Sequence, residues 1–262
     1  MADVLLVDRA DGVATLTMNR PESLNSLSVA LKEALVEQLQ EAAADPAVRA
    51  VVLTGTGRGF CVGQDLAEHV GLLQSGDPTP LSTVRDHYNP ITIALTQMPK
   101  PVVAAVNGTA AGAGAAFAFA CDFRVVSTEA KFLLAFANVG LGLDSGASWT
   151  LPRMIGTARA LELGLLAQPI TAATADAYGL VSQLTAPEEV LPAAQTLAAR
   201  LASGPTVAYA AIKQAIHFGA SHDLAESLEN EAVQQAVAGA STDHTAAVEA
   251  FVSKQKPTFH GR

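Results

Sequence analysis

Two glycine-rich stretches and one isolated carboxylate carry most of the chemistry this sequence can offer. The first stretch is Gly57-Arg58-Gly59-Phe60-Cys61-Val62-Gly63-Gln64-Asp65-Leu66 and the second is Asn107-Gly108-Thr109-Ala110-Ala111-Gly112-Ala113-Gly114-Ala115-Ala116. Each follows a run that reads as a strand, so its peptide N–H groups fall where they are free to point at a ligand. A pair of tight turns is the plainer reading of the same residues. Gly112-Ala113-Gly114 also invites a dinucleotide-binding loop, but Phe117 stands where the third small residue belongs and Glu129 is the nearest acid for a ribose contact. The carboxylate is Asp144, in Gly140-Leu141-Gly142-Leu143-Asp144-Ser145-Gly146. Read alone, it is an N-cap for a helix opening near Ser145 or Gly146.

Other chemistries find less support. Cys61 and Cys121 sit among apolar and small residues without CxxC or Cys/His spacing, and read as small core residues. The histidines are scattered, and His217 with His222 has the wrong spacing for two ligands on one helical face, so no metal is expected. With 16 Lys and Arg against 25 Asp and Glu, the net charge of −9 gives no diffuse attraction to nucleic acid or an anionic membrane. A polyanionic ligand must then be held by local donors.

The elements that position these residues follow from patterning. Half the chain is hydrophobic and 16% is charged, which suits one large core or a core with an appendage. Residues 3–8 and 13–18 read as strands joined by an Asp11-Gly12 hairpin turn. Leu31, Leu35, Leu39 and Ala42 recur at helical spacing over 28–44, ahead of Asp45-Pro46. A buried strand is expected at 49–54, a helix at 81–97, a strand at 101–106, a helix from Gly112 to Ala120 and a strand at 123–126. That alternation predicts an α/β fold with a mixed, largely parallel sheet layered by helices. Between Lys100 and Asp122 no residue is charged, yet the change at Asn107-Gly108 divides this stretch into strand, turn and helix, so no membrane span is expected. Beyond about residue 145 the pattern is helical. Thr185-Ala186-Pro187-Glu188 reads as a capping box, and Ser203-Gly204-Pro205 separates two helices. Stripes at Ala208, Ile212 and Ile216, and at Leu224, Leu228 and Ala232, could bury against the core or a second subunit. The start, Met1-Ala2-Asp3-Val4, has no basic segment leading into an apolar one, so no signal peptide is expected and a reducing cytoplasm suits the free cysteines.

An ordered set of short motifs spans essentially the whole chain. Asn19-Arg20-Pro21, Leu24-Asn25-Ser26-Leu27, Phe60-Cys61-Val62-Gly63-Gln64-Asp65-Leu66, Pro101-Val102-Val103-Ala104-Ala105-Val106-Asn107-Gly108, Ala130-Lys131-Phe132, Leu151-Pro152-Arg153 and Phe251-Val252-Ser253-Lys254 resemble the crotonase (enoyl-CoA hydratase/isomerase) family in order and spacing. The resemblance implies a spiral of ββα units over residues 1–195, a C-terminal helical oligomerisation region over 196–262, and a homotrimer or a pair of trimers. It also implies an acyl-CoA thioester substrate, with coenzyme A as part of that substrate and no separate cofactor. By position, the peptide N–H groups of Gln64 and Ala113 match the oxyanion hole, and Gly112 lets the substrate approach the backbone. Because those donors are backbone groups, Gln64→Ala is expected to keep most activity. Ser23, Leu24 and Val62 match backbone contacts to CoA, Asp65 and Leu66 lie near its adenine end, and Phe251 and Lys254 match a pair that reaches CoA from the C-terminal region. Glu22 stands where a lysine is common.

The two glutamates of the family's hydratases would fall at Ala116 and Phe136, where neither residue can activate water. Asp144 and its neighbours instead resemble the phenylacetate-pathway isomerase branch, in which an aspartate at this place is the acid/base; Leu143 departs from that branch, where proline is usual. The resemblance therefore implies an isomerase that moves a Δ3 double bond to Δ2 or rearranges an epoxidised aromatic acyl-CoA. Phe136 and Leu143 are expected to wall Asp144 and raise its pKa. A hydratase or other acyl-CoA lyase, and a non-catalytic acyl-CoA-binding protein, are the competing readings.

Overall fold

The computed structural model describes residues 3–262, so the reading of Met1 and Ala2 lies outside the described residues. The opening hairpin pairs β1 (Leu5–Ala10) with β2 (Val13–Met18), Ala10 opposite Val13. Its turn places both Asp11 (φ +50) and Gly12 (φ +79) in the left-handed region, as a two-residue hairpin with right-handed strand twist requires. Helix α1 (Val29–Ala44) follows, capped by the Ser28 hydroxyl on the Leu31 N–H.

From there the chain repeats a unit that gives one strand to each of two sheets. The pairs are β3 (Ala50–Gly55) with β4 (Gly59–Cys61), β5 (Val102–Val106) with β6 (Thr109–Ala111), and β7 (Phe123–Ser127) with β8 (Lys131–Leu133). A closing pair is β9 (Ile170–Thr171) and β10 (Gln183–Thr185). The six-stranded sheet runs β1-β2-β3-β5-β7-β10 and the four-stranded sheet β4-β6-β8-β9, parallel except for β1 on β2 and β9 on β8. This is the α/β spiral of ββα units that the resemblance implies. Between the pairs lie α2 (Leu66–Gln74), α3 (Asn89–Gln97), α4 (Ala113–Ala120) and α5 (Ala147–Leu166), and α6 (Ala172–Ala177) lies between β9 and β10.

Alternation along the parallel strands builds a core on each face of the large sheet. Val51, Leu53, Val102 and Ala104 pack with Leu31, Leu35 and Leu39 of α1 and Phe117 of α4. Ala50, Val52, Val103 and Ala105 pack with Val190, Ala194, Ala198 and Ala202 of α7 (Val190–Ala202). The division expected at residues 195 and 196 thus falls inside α7, whose apolar face stays on the sheet through Ala202. The helices that stand off it are α8 (Thr206–Gly219), α9 (Leu224–Gly239) and α10 (Thr242–Val252).

Two local expectations differ from the structure. Thr185 forms no capping box: it pairs with Ser127 at the end of β10, its hydroxyl is buried without a partner, and Pro187 opens a 3-10 turn before α7. The capping box is at Asp223 and Glu226, which open α9. The helix expected over 81–97 is a single π turn, Val84–Tyr88, running into α3. Stretch 101–121 divides into β5, β6 and α4, and among the described residues no helix is long and apolar enough to cross a membrane.

Candidate active site

The first glycine stretch is positioned by the loop that follows β2. Leu24 (φ +52) and Asn25 (φ +57) are both left-handed, and the buried Asn25 amide donates to the carbonyls of Thr56 (3.0 Å) and Gly59 (2.9 Å). The Val62 N–H donates to the Leu24 carbonyl at 3.2 Å, which brings Ser23, Leu24 and Val62 onto one ledge. Asp65 staples the far end. Its carboxylate caps α2 on the Ala67 and Glu68 N–H groups and accepts from Arg20 (2.8 Å) and Ser26 (3.1 Å). Burial pushes that carboxyl up, but the bonds from Arg20, the Glu68 N–H and Ser26, with the Arg20 charge, outweigh it and hold it below the usual carboxylate range. The Asp65 side chain is thereby fully engaged, while Leu66 beside it is exposed.

The second stretch meets the first backbone to backbone. Gly63 (φ +85) lies so close that a Cβ there would sit 3.0 Å from the Ala111 oxygen and 3.3 Å from the Ala113 nitrogen. Gly112 (φ +51, ψ −128) holds a conformation that suits glycine and opens α4, so the Ala113 N–H points out of the helix's first turn. A Cβ at Gly114 would lie 2.2 Å from the Cys61 oxygen, so α4 can dock on β4 only with glycine there. Among the described residues neither the Gln64 nor the Ala113 N–H donates to a protein acceptor. Two free donors on adjoining loops, one at a helix N-terminus, form a ready cradle for a developing oxyanion.

Asp144 does not cap α5. The N-cap is Gly146 (φ +76), no side chain bonds to the first turn, and Asp144 contributes only its backbone carbonyl, to the Ala147 N–H at 3.0 Å. A Cβ at Gly146 would strike Thr92 of α3 at 2.7 Å, and Ser145 is buried in the left-handed region (φ +51). The Asp144 carboxylate accepts one bond, from the Ser145 hydroxyl at 2.8 Å. Burial raises its pKa and that bond only partly offsets the shift. Leu143 is partly exposed, and its side chain lies 3.8 Å from the Cβ position of Gly164 on α5. Ala116 and Phe136, where the resemblance puts the hydratase glutamates, are buried apolar residues.

Tyr88, which the sequence did not single out, joins these parts. Its hydroxyl donates to the Gln64 side-chain oxygen, and its ring packs edge-on against Phe117 of α4 at 6.0 Å. Burial and then the Asp144 charge push the phenol far up, so it stays a neutral donor; of the carboxylates felt there, Glu68 is occupied on the Val29 N–H. Hence Gln64, Ala113 and Asp144 share one neighbourhood, with Ser23, Leu24 and Val62 on the ledge before it, Asp65 and Leu66 opening α2 beside Gln64, and Gly112 next to Ala113. Phe251, 84% exposed in the last turn of α10, and Lys254 (φ +55), exposed just after it, do not hydrogen-bond to a cleft residue. A cavity of about 800 Å³ lies elsewhere, between α4, α5 and α8, and is lined by the Lys213–Asp122 ion pair at 2.7 Å.

Residues 8–262 match the family described as enoyl-CoA hydratase/isomerase. The chain belongs to the enoyl-CoA hydratase/isomerase family. It is 40% identical over 267 residues to the 1,2-epoxyphenylacetyl-CoA isomerase of Escherichia coli (strain K12), covering 100% of both chains. It is 33% identical over 258 residues to the trans-2-decenoyl-acyl-carrier-protein isomerase of Streptococcus mutans serotype c, covering 98% of each. It superimposes on the crystal structure of an enoyl-CoA hydratase from Bacillus anthracis with a TM-score of 0.91 and 32% identity, over 99% of this chain and 100% of that one. Isomerases and hydratases thus both stand among the relatives, and the family's fold is the spiral described above.

Proposed function

We propose that this enzyme is an acyl-CoA isomerase that moves a proton with Asp144. The observation that carries this reading is a partly buried carboxylate with a raised pKa, released from capping and within electrostatic reach of the Tyr88–Gln64 pair. Asp144 takes a proton from C2 of a 3-enoyl thioester. The Gln64 and Ala113 N–H groups hold the resulting dienolate oxygen, and Asp144 returns the proton at C4. A group that must be base and then acid works best with a pKa near ambient pH, the direction in which burial moves Asp144. An epoxidised aromatic acyl-CoA is a second substrate, supported by the name of the Escherichia coli relative. The reaction uses no cofactor beyond the CoA carried by the substrate, held by Ser23, Leu24 and Val62 with Leu66 near the adenine. The setting is cytoplasmic and the working form a homo-oligomer, in which Phe251 and Lys254 reach CoA across a subunit boundary.

A substrate panel tests the reaction. Purified enzyme should convert a 3-enoyl-CoA or ring-1,2-epoxyphenylacetyl-CoA on the order of 10²-fold faster than it hydrates a 2-enoyl-CoA, because no second carboxylate replaces Ala116 or Phe136. Faster hydration would make it a hydratase. Retention of CoA esters without turnover of any of the three would make it a binding protein.

A further inference from the structure

The Gln64 N–H can serve as a donor only if its peptide and side chain are held in one orientation. Gln64 follows Gly63 (φ +85), which is wedged against the Ala111–Ala113 backbone, and it precedes Asp65, which is fixed by Arg20, Ser26 and the α2 cap. Leu27 brackets Gln64, its N–H donating to the Gly63 carbonyl at 2.8 Å and its carbonyl accepting from the Asp65 N–H at 3.4 Å, while the Gln64 N–H stays free. Gln64 itself is held by its side chain, on the Tyr88 hydroxyl. Tyr88 in turn comes off the single π turn Val84–Tyr88 at the start of α3, an irregularity that re-aims the side chains around it. Its ring rests edge-on upon Phe117 at 6.0 Å and 72°, and Phe117 belongs to α4, whose first N–H is the other donor. One side chain therefore touches Gln64 and the helix whose first N–H is the other donor.

A buried cation backs this contact. Lys32 is 1% exposed, has no carboxylate within 4.0 Å among the described residues, and donates to the Thr83 hydroxyl at 2.8 Å. Its ammonium lies 5.6 Å from the centroid of the Tyr88 ring. The Thr83 hydroxyl also meets His87 Nδ1 at 3.2 Å, so the link from Lys32 to Tyr88 is the ammonium on the ring face, and the link from Tyr88 to Gln64 is the hydroxyl.

We infer that Tyr88 is a positioning residue for the oxyanion hole, its hydroxyl holding Gln64 so that the Gln64 N–H stays aligned with that of Ala113. This deepens the function proposed above and rests on its assignment of the two donors. It also revises the expectation that the Gln64 side chain is dispensable: truncating it should misalign one donor without deleting it.

A double-mutant cycle with a spectroscopic readout tests the inference. Tyr88→Phe keeps the ring on Phe117 and removes the hydroxyl; Gln64→Ala removes its acceptor. Each should lower kcat on 3-enoyl-CoA about 10-fold to 10²-fold, below the roughly 10²–10³-fold loss of a deleted donor, with KM within about 3-fold. The double variant should be no worse than the poorer single one. The independent readout is the 13C shift of carbonyl-labelled phenylacetyl-CoA bound to the folded protein. Wild type should move it downfield by polarising the carbonyl, and Tyr88→Phe should return it part-way to the free value. Additive losses, an unchanged kcat, equal carbonyl shifts in wild type and Tyr88→Phe, or no shift in wild type would each overturn the inference. A wild type that polarises the carbonyl yet isomerises no 3-enoyl-CoA would defeat the proposed reaction alone, because the shift still judges Tyr88.

Discussion

At the scale of single residues, two aspartates are driven in opposite directions by their surroundings, and each shift has a sign that can be checked. Burial raises the Asp144 pKa, so the fold opposes its ionisation. Its contribution to stability is greatest below the unfolded pKa of about 3.9 and is lost as pH rises through the folded value. Asp144→Asn should therefore melt at or above the wild-type temperature at neutral pH, with the gap closing in acid; a capping role would give the opposite result. The same shift predicts that kcat/KM falls in acid with an apparent pKa above the ordinary carboxylate value, because the base must be ionised. Asp65 is the reverse case, since its bonds to Arg20, Ser26 and the α2 N-terminus need the charged form. Its stabilisation is present above the unfolded pKa and disappears as pH falls through the folded one. Asp65→Asn should lower Tm at neutral pH by the equivalent of about 1–3 kcal/mol, and thermal melts should show the difference shrinking below about pH 4.

At the scale of elements, the cradle exists because α4 docks on β4 through a glycine. Gly114→Ala would place a methyl 2.2 Å from the Cys61 oxygen, so the helix must retreat and carry the Ala113 N–H away from Gln64. The expected cost is at the upper end of the roughly 1–3 kcal/mol of an overpacked core, with turnover falling further than Tm alone explains. Melting and steady-state rates on one preparation check this, and an unaltered rate would separate the docking from the cradle. Periodicity made legible the elements long enough to repeat it, among them α1, β3, β5 and α4. It could not reveal the second sheet, whose strands are three residues or fewer and show no alternation. Thr185 had the residue type of a cap, but pairing with Ser127 claimed it for β10. The Gln64 and Ala113 donors were named by their positions in the family resemblance; the adjoining glycines marked only where backbone approaches backbone. Tyr88 left no such mark, since its role depends on a π turn and on neighbours distant in sequence.

At the scale of the molecule, α8 and α9 leave Ile212, Ile216, Leu224 and Leu228 exposed on the single chain. Stripes of this kind seek a partner, and we expect a trimer or hexamer by sedimentation, with Ile216→Glu shifting the enzyme towards monomers and weakening CoA-ester binding through Phe251 and Lys254. A stable wild-type monomer at micromolar concentration would remove that role. The account as a whole turns on whether the assembled enzyme moves a proton with Asp144. The direct measurement is turnover of a 3-enoyl-CoA in deuterated water by wild type and Asp144→Asn at equal folded concentration. Asparagine should preserve CoA-ester binding while turnover and deuterium incorporation into the acyl chain fall together by roughly 10²–10⁴-fold. Equal rates in the two proteins would contradict the account.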